Sequence, residues 1–164
     1  MKIQIRPYQT EDTAAILEII NHTIAHSTAL YDYTPRTIAQ QQSMLDEKIT
    51  KGFPIVVAVE SDKVVGFGYY GEFRYREAYK HTVEHSVYVH HDCIGKGIGQ
   101  LLMQSLLESA KQQKVHTMIG VIDSENKGSI AFHERFGFKS MGVLEQVAYK
   151  FDRWLDVVIM QRMI

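Results

Sequence analysis

The order of patterns along this chain predicts an α+β fold with one central mixed sheet, and three observations carry that prediction. A hairpin pattern comes early; strand, helix, strand and helix then alternate; and a glycine-rich connection joins a two-faced strand to an amphipathic helix. A chain of 164 residues with 45% hydrophobic content suits a single domain, residues 1–164, that can bury a sizeable core. Three prolines, no repeat and no low-complexity segment leave no obvious place for a linker.

IQIRPY reads as a short strand, after which Thr10 and Asp12 precede Ala15, Ile16, Ile19 and Ile20 at helical spacing. SMLDEKITKG reads as a second helix ending at Gly52. PIVVAVE and VVGFGYYGEF, separated by the polar SDK, form the predicted hairpin. In VEHSVYV, the residues Val83, His85, Val87 and Val89 alternate with Glu84, Ser86 and Tyr88, so this strand has two different faces. From Ile98 the residues Leu101, Leu102, Leu106 and Ala110 follow a helical period. HTMIGVI is the next strand, GSIAFHERFGF a helix closed by Gly137, and VAYKF with WLDVVIMQRMI the two closing strands.

Charge and cysteine usage narrow the function. Eighteen basic and nineteen acidic residues leave a net charge of −1, so composition offers no support for binding nucleic acid or a membrane surface. One cysteine, Cys93, cannot form an internal disulfide, and no apolar run is long enough for export or a membrane span, which predicts a soluble cytoplasmic protein.

Any anion site must therefore be local, and HHDCIGKGIGQLLMQSL supplies one. A helix start offers unpaired N–H groups and about half a positive charge, so Gly95, Gly97 and Gly99 leading into the helix make an anion cradle to which Lys96 adds a full charge. An ordinary strand-to-helix turn needing positive φ explains the same glycines. The spacing excludes the dinucleotide fingerprint, because Gln100 or Leu102 falls where the third glycine is required, and no Lys-Ser or Lys-Thr pair completes a nucleotide-hydrolase loop.

VEHSVYV, then IGKGIG and its amphipathic helix, then VIDSENKGSIAFHERFGF resemble the GCN5-related N-acetyltransferase (GNAT) superfamily, and in particular its phosphinothricin (methionine sulfoximine) acetyltransferase branch. The resemblance runs through nearly the whole chain and is strongest from Arg74 to Trp154. It implies a mostly antiparallel sheet, acetyl-CoA as cosubstrate with no metal, a small amino-acid-like acceptor and a homodimer. It also implies that Ile94, Gly95, Lys96, Gly97, Ile98 and Gly99 hold the CoA pyrophosphate, Ile94 standing where the superfamily has Gln or Arg. Val87, Tyr88 and Val89 would pair their backbone with the pantetheine arm, and Asn126 would hydrogen-bond the same arm, with Ser129 nearby; both polar residues also suit helix capping.

Acetyl transfer needs a neutral amine, and an α-amine with a pKa of about 8 is largely protonated at neutral pH. A general base is therefore useful. Glu84, matching a glutamate of the resembling enzymes, is the candidate, although a strand glutamate can equally be solvated or ion-paired. His133 stands where the resemblance implies a proton donor to the leaving thiolate, and a histidine that packs and bonds locally is the other reading. In FRYREAY, Arg74 and Arg76 alternate along an extended stretch and so share a side, with Tyr79 three residues on. Two guanidinium groups there can clamp a carboxylate or phosphinate, and the branch lines its amino-acid pocket at these places. Asp123, at a strand end facing the same cleft in relatives, is a further substrate contact, and Tyr149 a weaker acyl-site candidate.

His90, His91, Asp92 and Cys93 invite a metal assignment, yet adjacent side chains on an extended chain point apart and no second ligand pair shows the usual spacing. Met103, Met118, Met141 and Met160 suit core gap-filling, and Trp154 a sheet end or subunit contact. Two rival functions remain: an acetyltransferase acting on a peptide or protein amine, and a nonenzymatic acyl-CoA-binding module that keeps the loop but dispenses with Glu84.

Overall fold

The early hairpin is closed by Ser61 and Asp62, both at positive φ (49° and 62°), which gives the two-residue turn whose twist matches that of paired strands. In the computed structural model, which describes residues 2–164, it joins β2 (Ile55–Glu60) to β3 (Lys63–Glu72). The other strands are β1 (Gln4–Pro7), β4 (Thr82–Val89), β5 (Thr117–Asp123), β6 (Lys139–Lys150) and β7 (Arg153–Met163). They form one sheet in the order β1-β2-β3-β4-β5-β7-β6, antiparallel throughout except for β4 against β5. This is the mixed, mostly antiparallel α+β architecture that the sequence predicts.

Helices cover both faces and so bury residues of both parities along the strands. On one face α3 (Ile98–Gln112) sets Leu102, Met103, Leu106 and Ala110 against Val83, Met118 and Met160. On the other, α1 (Thr13–His26) and α2 (Ile38–Thr50) set Ile16, Ile19, Ile20, Ile24 and Leu45 against Val57, Phe67 and Tyr88. A Cβ on Gly66 would lie 3.0 Å from Ile98 Cγ2, so a bare backbone there lets α3 settle close to the sheet. The fourth helix, α4 (Lys127–Arg135), follows β5. Among the described residues no helix is long and apolar enough to cross a membrane.

Two elements depart from the sequence reading. Helix α2 starts at Ile38, five residues before the predicted segment, because Thr37 and Gln40 form a reciprocal capping box ahead of a polar run that carries no apolar period. Strand β6 starts at Lys139, not Val147. It is the sheet edge, exposed along nearly its whole length and interrupted by bulges at Gly142 and Gln146, so alternation never appears in its sequence. Met141 lies on it half exposed and is therefore no core filler, and Tyr149 is likewise exposed, edge-on to Trp154 at 5.1 Å.

Candidate active site

The sheet opens at its centre. Strand β4 pairs with β3 along its length, from Glu72 opposite Val83 to Gly66 opposite Val89, but with β5 only at Thr82, Val83 and Glu84. Beyond Glu84 and Ile119 the two parallel strands part, and the cleft between them is lined by Ser86, Val87 and Tyr88 on one side and by Asp123, Asn126 and Ser129 on the other. Val87, Tyr88 and Val89 thus have no strand partner toward β5.

The glycine loop stands at the end of β4. Gly95 and Gly97 take φ of 85° and 78°, and a Cβ on either would meet nothing within 4 Å, so glycine serves conformation there and not space. Gly97 is the N-cap of α3 and no side chain caps that end, which leaves the first N–H groups free of side-chain acceptors. The turn and the cradle are one object: positive φ is what presents the helix start. Ile98 is buried beneath the loop, so only its backbone can serve an anion, whereas Ile94 is 72% exposed. Gly99 lies 3.6 Å, in Cβ terms, from Phe132, and Lys96 keeps its ammonium 3.7 Å from Glu60.

Glu84, the last paired residue before the opening, points away from Val83 toward α2. Burial raises its pKa above the usual carboxylate range, while the positive charges of Arg74 and Lys48 pull it back. Lys48 is itself shifted down by burial and sits 4.3 Å over the Tyr69 ring. The alternation that would set the two arginines on one side does not hold here. Residues 73–81 form bends and a 3-10 turn at Glu77–Tyr79, and period two sets side-chain direction only in extended chain. Arg74 donates to the Phe73 carbonyl at 2.9 Å and lies over that ring, whereas Arg76 lies 5.0 Å over Tyr75. Tyr79 meets Phe73 edge to face.

On the opposite face of β4, His85 meets His133. Nδ1 of His133 lies 2.7 Å from the Ser129 carbonyl, and its Nε2 lies 3.1 Å from Nε2 of His85. A carbonyl only accepts, so the His133 proton is on Nδ1; bare Nε2 then accepts from His85, whose Nδ1 is left as an acceptor. That Nδ1 is the one buried side-chain nitrogen or oxygen without a partner among the described residues. Burial, with His133 close by, drives the His85 pKa down to about 3, and burial also lowers that of His133. Both rings are neutral. Gly120 makes room for them, since a Cβ there would lie 3.2 Å from His85 Nε2 and 3.3 Å from His133.

The Asn126 side chain accepts from Ser129 N–H at 3.0 Å, capping α4 at the cleft wall. Asp123 is buried; its Oδ1 accepts from Glu125 N–H and its Oδ2 from the Thr28 hydroxyl, fastening the α1–α2 connection to β5.

The model of the Acetyltransferase (GNAT) domain family matches residues 5–159. The chain belongs to this family. An L-methionine sulfoximine/L-methionine sulfone acetyltransferase of Pseudomonas aeruginosa is 41% identical to this GNAT chain, over 98% of it and 94% of that protein. Among solved structures, a phosphinothricin acetyltransferase from Sinorhizobium meliloti in complex with AcCoA superposes with a TM-score of 0.97 at 33% identity, covering 100% of this chain and 89% of that one. A ribosomal-protein-alanine N-acetyltransferase from Brucella melitensis also superposes at 0.97, with 38% identity over 98% and 99% of the two chains.

The GNAT domain's cosubstrate is acetyl-CoA, and the residues present fit it: an uncapped helix start for a pyrophosphate, and unpaired strand backbone for an amide-bearing arm. Sequence reasoning missed the α1–α2 connection that roofs the cleft. Thr28 and Tyr31 line it, Lys150 Nζ holds the carbonyls of Ser27 and Leu30 at 2.8 and 2.6 Å, and the Tyr33 hydroxyl donates to the Tyr149 carbonyl. Arg36, bound to Asp32 and Gln41, adds positive charge near Tyr69 and Tyr88. A connection without periodicity carries no signal of what it covers. His85 had a legible face but no legible partner.

Proposed function

We propose that this GNAT enzyme transfers acetyl from acetyl-CoA to the α-amine of a small anionic amino acid or analogue, of the methionine sulfone, methionine sulfoximine or phosphinothricin type. The observation that carries the reading is Glu84: a carboxylate made more basic by burial, placed where the sheet opens, with Arg74 acting on it. The names of the Pseudomonas and Sinorhizobium proteins support the acceptor class.

Glu84 removes, directly or through water, the proton that the α-ammonium must lose before its nitrogen can bond to the acetyl carbon. Acetyl-CoA, when bound, supplies the thioester whose C–S bond then breaks. Backbone N–H groups from Ile94 to Gly99 with Lys96 hold the pyrophosphate, and Val87, Tyr88, Val89, Asn126 and Ser129 hold the pantetheine arm. Arg74, Arg76, Tyr79 and Asp123 orient the acceptor, its carboxylate toward the guanidinium groups. In this reading the bare Nε2 of His133, once it exchanges His85 for the cleft, takes the second proton that the attacking nitrogen sheds as the amide forms and passes it to the departing sulfur.

The catalytic unit is the whole chain, residues 1–164, working in the cytoplasm, where a single buried free thiol is in keeping. It works as a homodimer, a reading supported by the apolar side chains exposed along β6 and β7: Met141, Val143, Leu144, Val147 and Trp154. A second reading, acetylation of a protein or peptide amine, draws on the Brucella protein's name and on the exposure of Tyr75 in the acceptor segment.

Thiol release from acetyl-CoA tests the proposal against methionine sulfone, methionine sulfoximine, phosphinothricin and N-terminal peptides, for the native chain and Glu84→Gln. Turnover on the amino-acid analogues, lost by about 10²–10⁴-fold in the variant, is expected. Turnover confined to peptides moves the acceptor to the second reading. Acetyl-CoA binding without turnover on any amine reduces the chain to a binding module.

A further inference from the structure

Away from the cleft, four imidazoles stack in a column on the surface where α1 meets the chain leaving β4. The rings of His26 and His22 lie 4.4 Å apart and nearly parallel, those of His22 and His91 3.8 Å apart at 7°, and those of His91 and His90 4.3 Å apart. His22 and His26 are four residues apart on α1 and so share its face. His90, His91 and Asp92 are consecutive, and extended chain would point them apart. The segment instead turns as a 3-10 helix at His91–Cys93, closed by Cys93 N–H on the His90 carbonyl at 2.8 Å. One ligand atom from each of His90, His91 and Asp92 therefore lies within 4.8 Å of the others. The Glu18 carboxylate, on the same helix face as His22, is 3.7 Å from His90 Nε2.

We propose that His22, His90, His91 and Asp92 form a surface site for a divalent transition-metal ion of the Zn²⁺ class, separate from the acetyl-transfer cleft. Three imidazoles and one carboxylate suit Zn²⁺ and its neighbours in the series and do not suit Mg²⁺ or Ca²⁺, which take oxygen ligands. Tetrahedral ligands at about 2.0–2.1 Å from zinc stand about 3.4 Å from one another. His91 Nε2 and Asp92 Oδ1 already lie 3.5 Å apart, and with side chains 40% and 78% exposed both have room to change rotamer. Such an ion gathers imidazoles that, if protonated, would repel one another. It also ties α1 to the turn that runs into Gly95–Gly99, so a bound metal and a bound anion share one piece of backbone. The ion takes no part in proton removal or acyl transfer.

Calorimetric titration of the untagged full chain with Zn²⁺, with Co²⁺ absorption as a second probe and Mg²⁺ as contrast, tests the site. Expected is one Zn²⁺ per chain, a Co²⁺ spectrum of tetrahedral intensity, and no heat with Mg²⁺. His22→Asn and His91→Asn should each weaken Zn²⁺ binding at least tenfold while melting within a few degrees of the native chain, and His116→Asn, an exposed histidine elsewhere, should leave it unchanged. The absence of saturable binding, or affinity that is equal in His22→Asn, His91→Asn and the native chain, overturns the proposal.

Discussion

Glu84 and His85 are neighbours on β4 that face opposite sides of the sheet, and burial acts on both, with opposite results. The carboxylate gains proton affinity and the imidazole loses it, because in each case desolvation penalises the charged form. The proposed mechanism requires Glu84 to be ionised, a charge that burial disfavours and that Arg74 and Lys48 moderate. His85 stays in its favoured neutral form and spends its proton on His133. In the proposed mechanism one strand position stores reactivity at the expense of stability, and the next secures the wall beside it.

The strongest way to break this contrast is Glu84→Gln. The expected outcome is a fall in kcat/KM of about 10²–10⁴-fold with a melting temperature equal to or above that of the native chain, since a disfavoured ion is removed. A large loss of melting temperature with turnover preserved would make Glu84 structural and erase the distinction. The pH profile sharpens the same point. The group works when deprotonated, so log kcat/KM should rise with pH through a limb lying above the ordinary carboxylate value of about 4.3, and that limb should vanish in Glu84→Gln.

His85→Ala should act the other way. It opens a void and leaves Nε2 of His133 unpaired, for a loss of about 2–3 kcal/mol in urea unfolding. The linkage signs separate the neighbours as well. The folded pKa of His85 lies below its unfolded value of about 6.5, so its contribution is complete above that pH and is lost as pH falls toward 3. The folded pKa of Glu84 is raised, so its contribution is present below the unfolded value and lost as pH rises through the folded one. Native and His85→Ala chains should therefore converge in stability as the solution is acidified between those limits. The smallest effect belongs to Gly120→Ala. Its methyl group presses on both imidazoles from 3.2–3.3 Å, and about 1 kcal/mol of destabilisation is expected in the same unfolding assay, with acetyl-CoA affinity retained.

The hairpin, the two-faced β4, the glycine loop and α3 were legible because each writes a period or a turn into consecutive residues. What escaped was set by distance or by exposure. The partner of His85 is 48 residues away, and nothing local in VEHSVYV or AFHERFGF joins them. The edge strand β6 has no buried face to impose alternation, and α2 begins in a polar run marked only by its cap. Arg74 is close enough for its charge to act on Glu84, but the rule that would set Arg74 and Arg76 on one side holds for extended chain, and this segment bends. At His90 to Cys93 the chain likewise turns as a 3-10 helix, and side chains that a strand would separate come together.

The opening between β4 and β5 reaches beyond catalysis. Among the described residues three residue pairs, Thr82 to Glu84 against Thr117 to Ile119, join β4 of the β1–β4 half of the sheet to β5 of the β5–β7–β6 half. Past that seam the sheet carries two edges in its own interior, and a ligand backbone seated there would act as a missing strand. Amide protons of Val87 to Val89 should then exchange quickly in the free chain and slowly in the bound one, and thermal stability should climb with ligand concentration as mass action requires. A cosubstrate seated there would also be a part of the architecture.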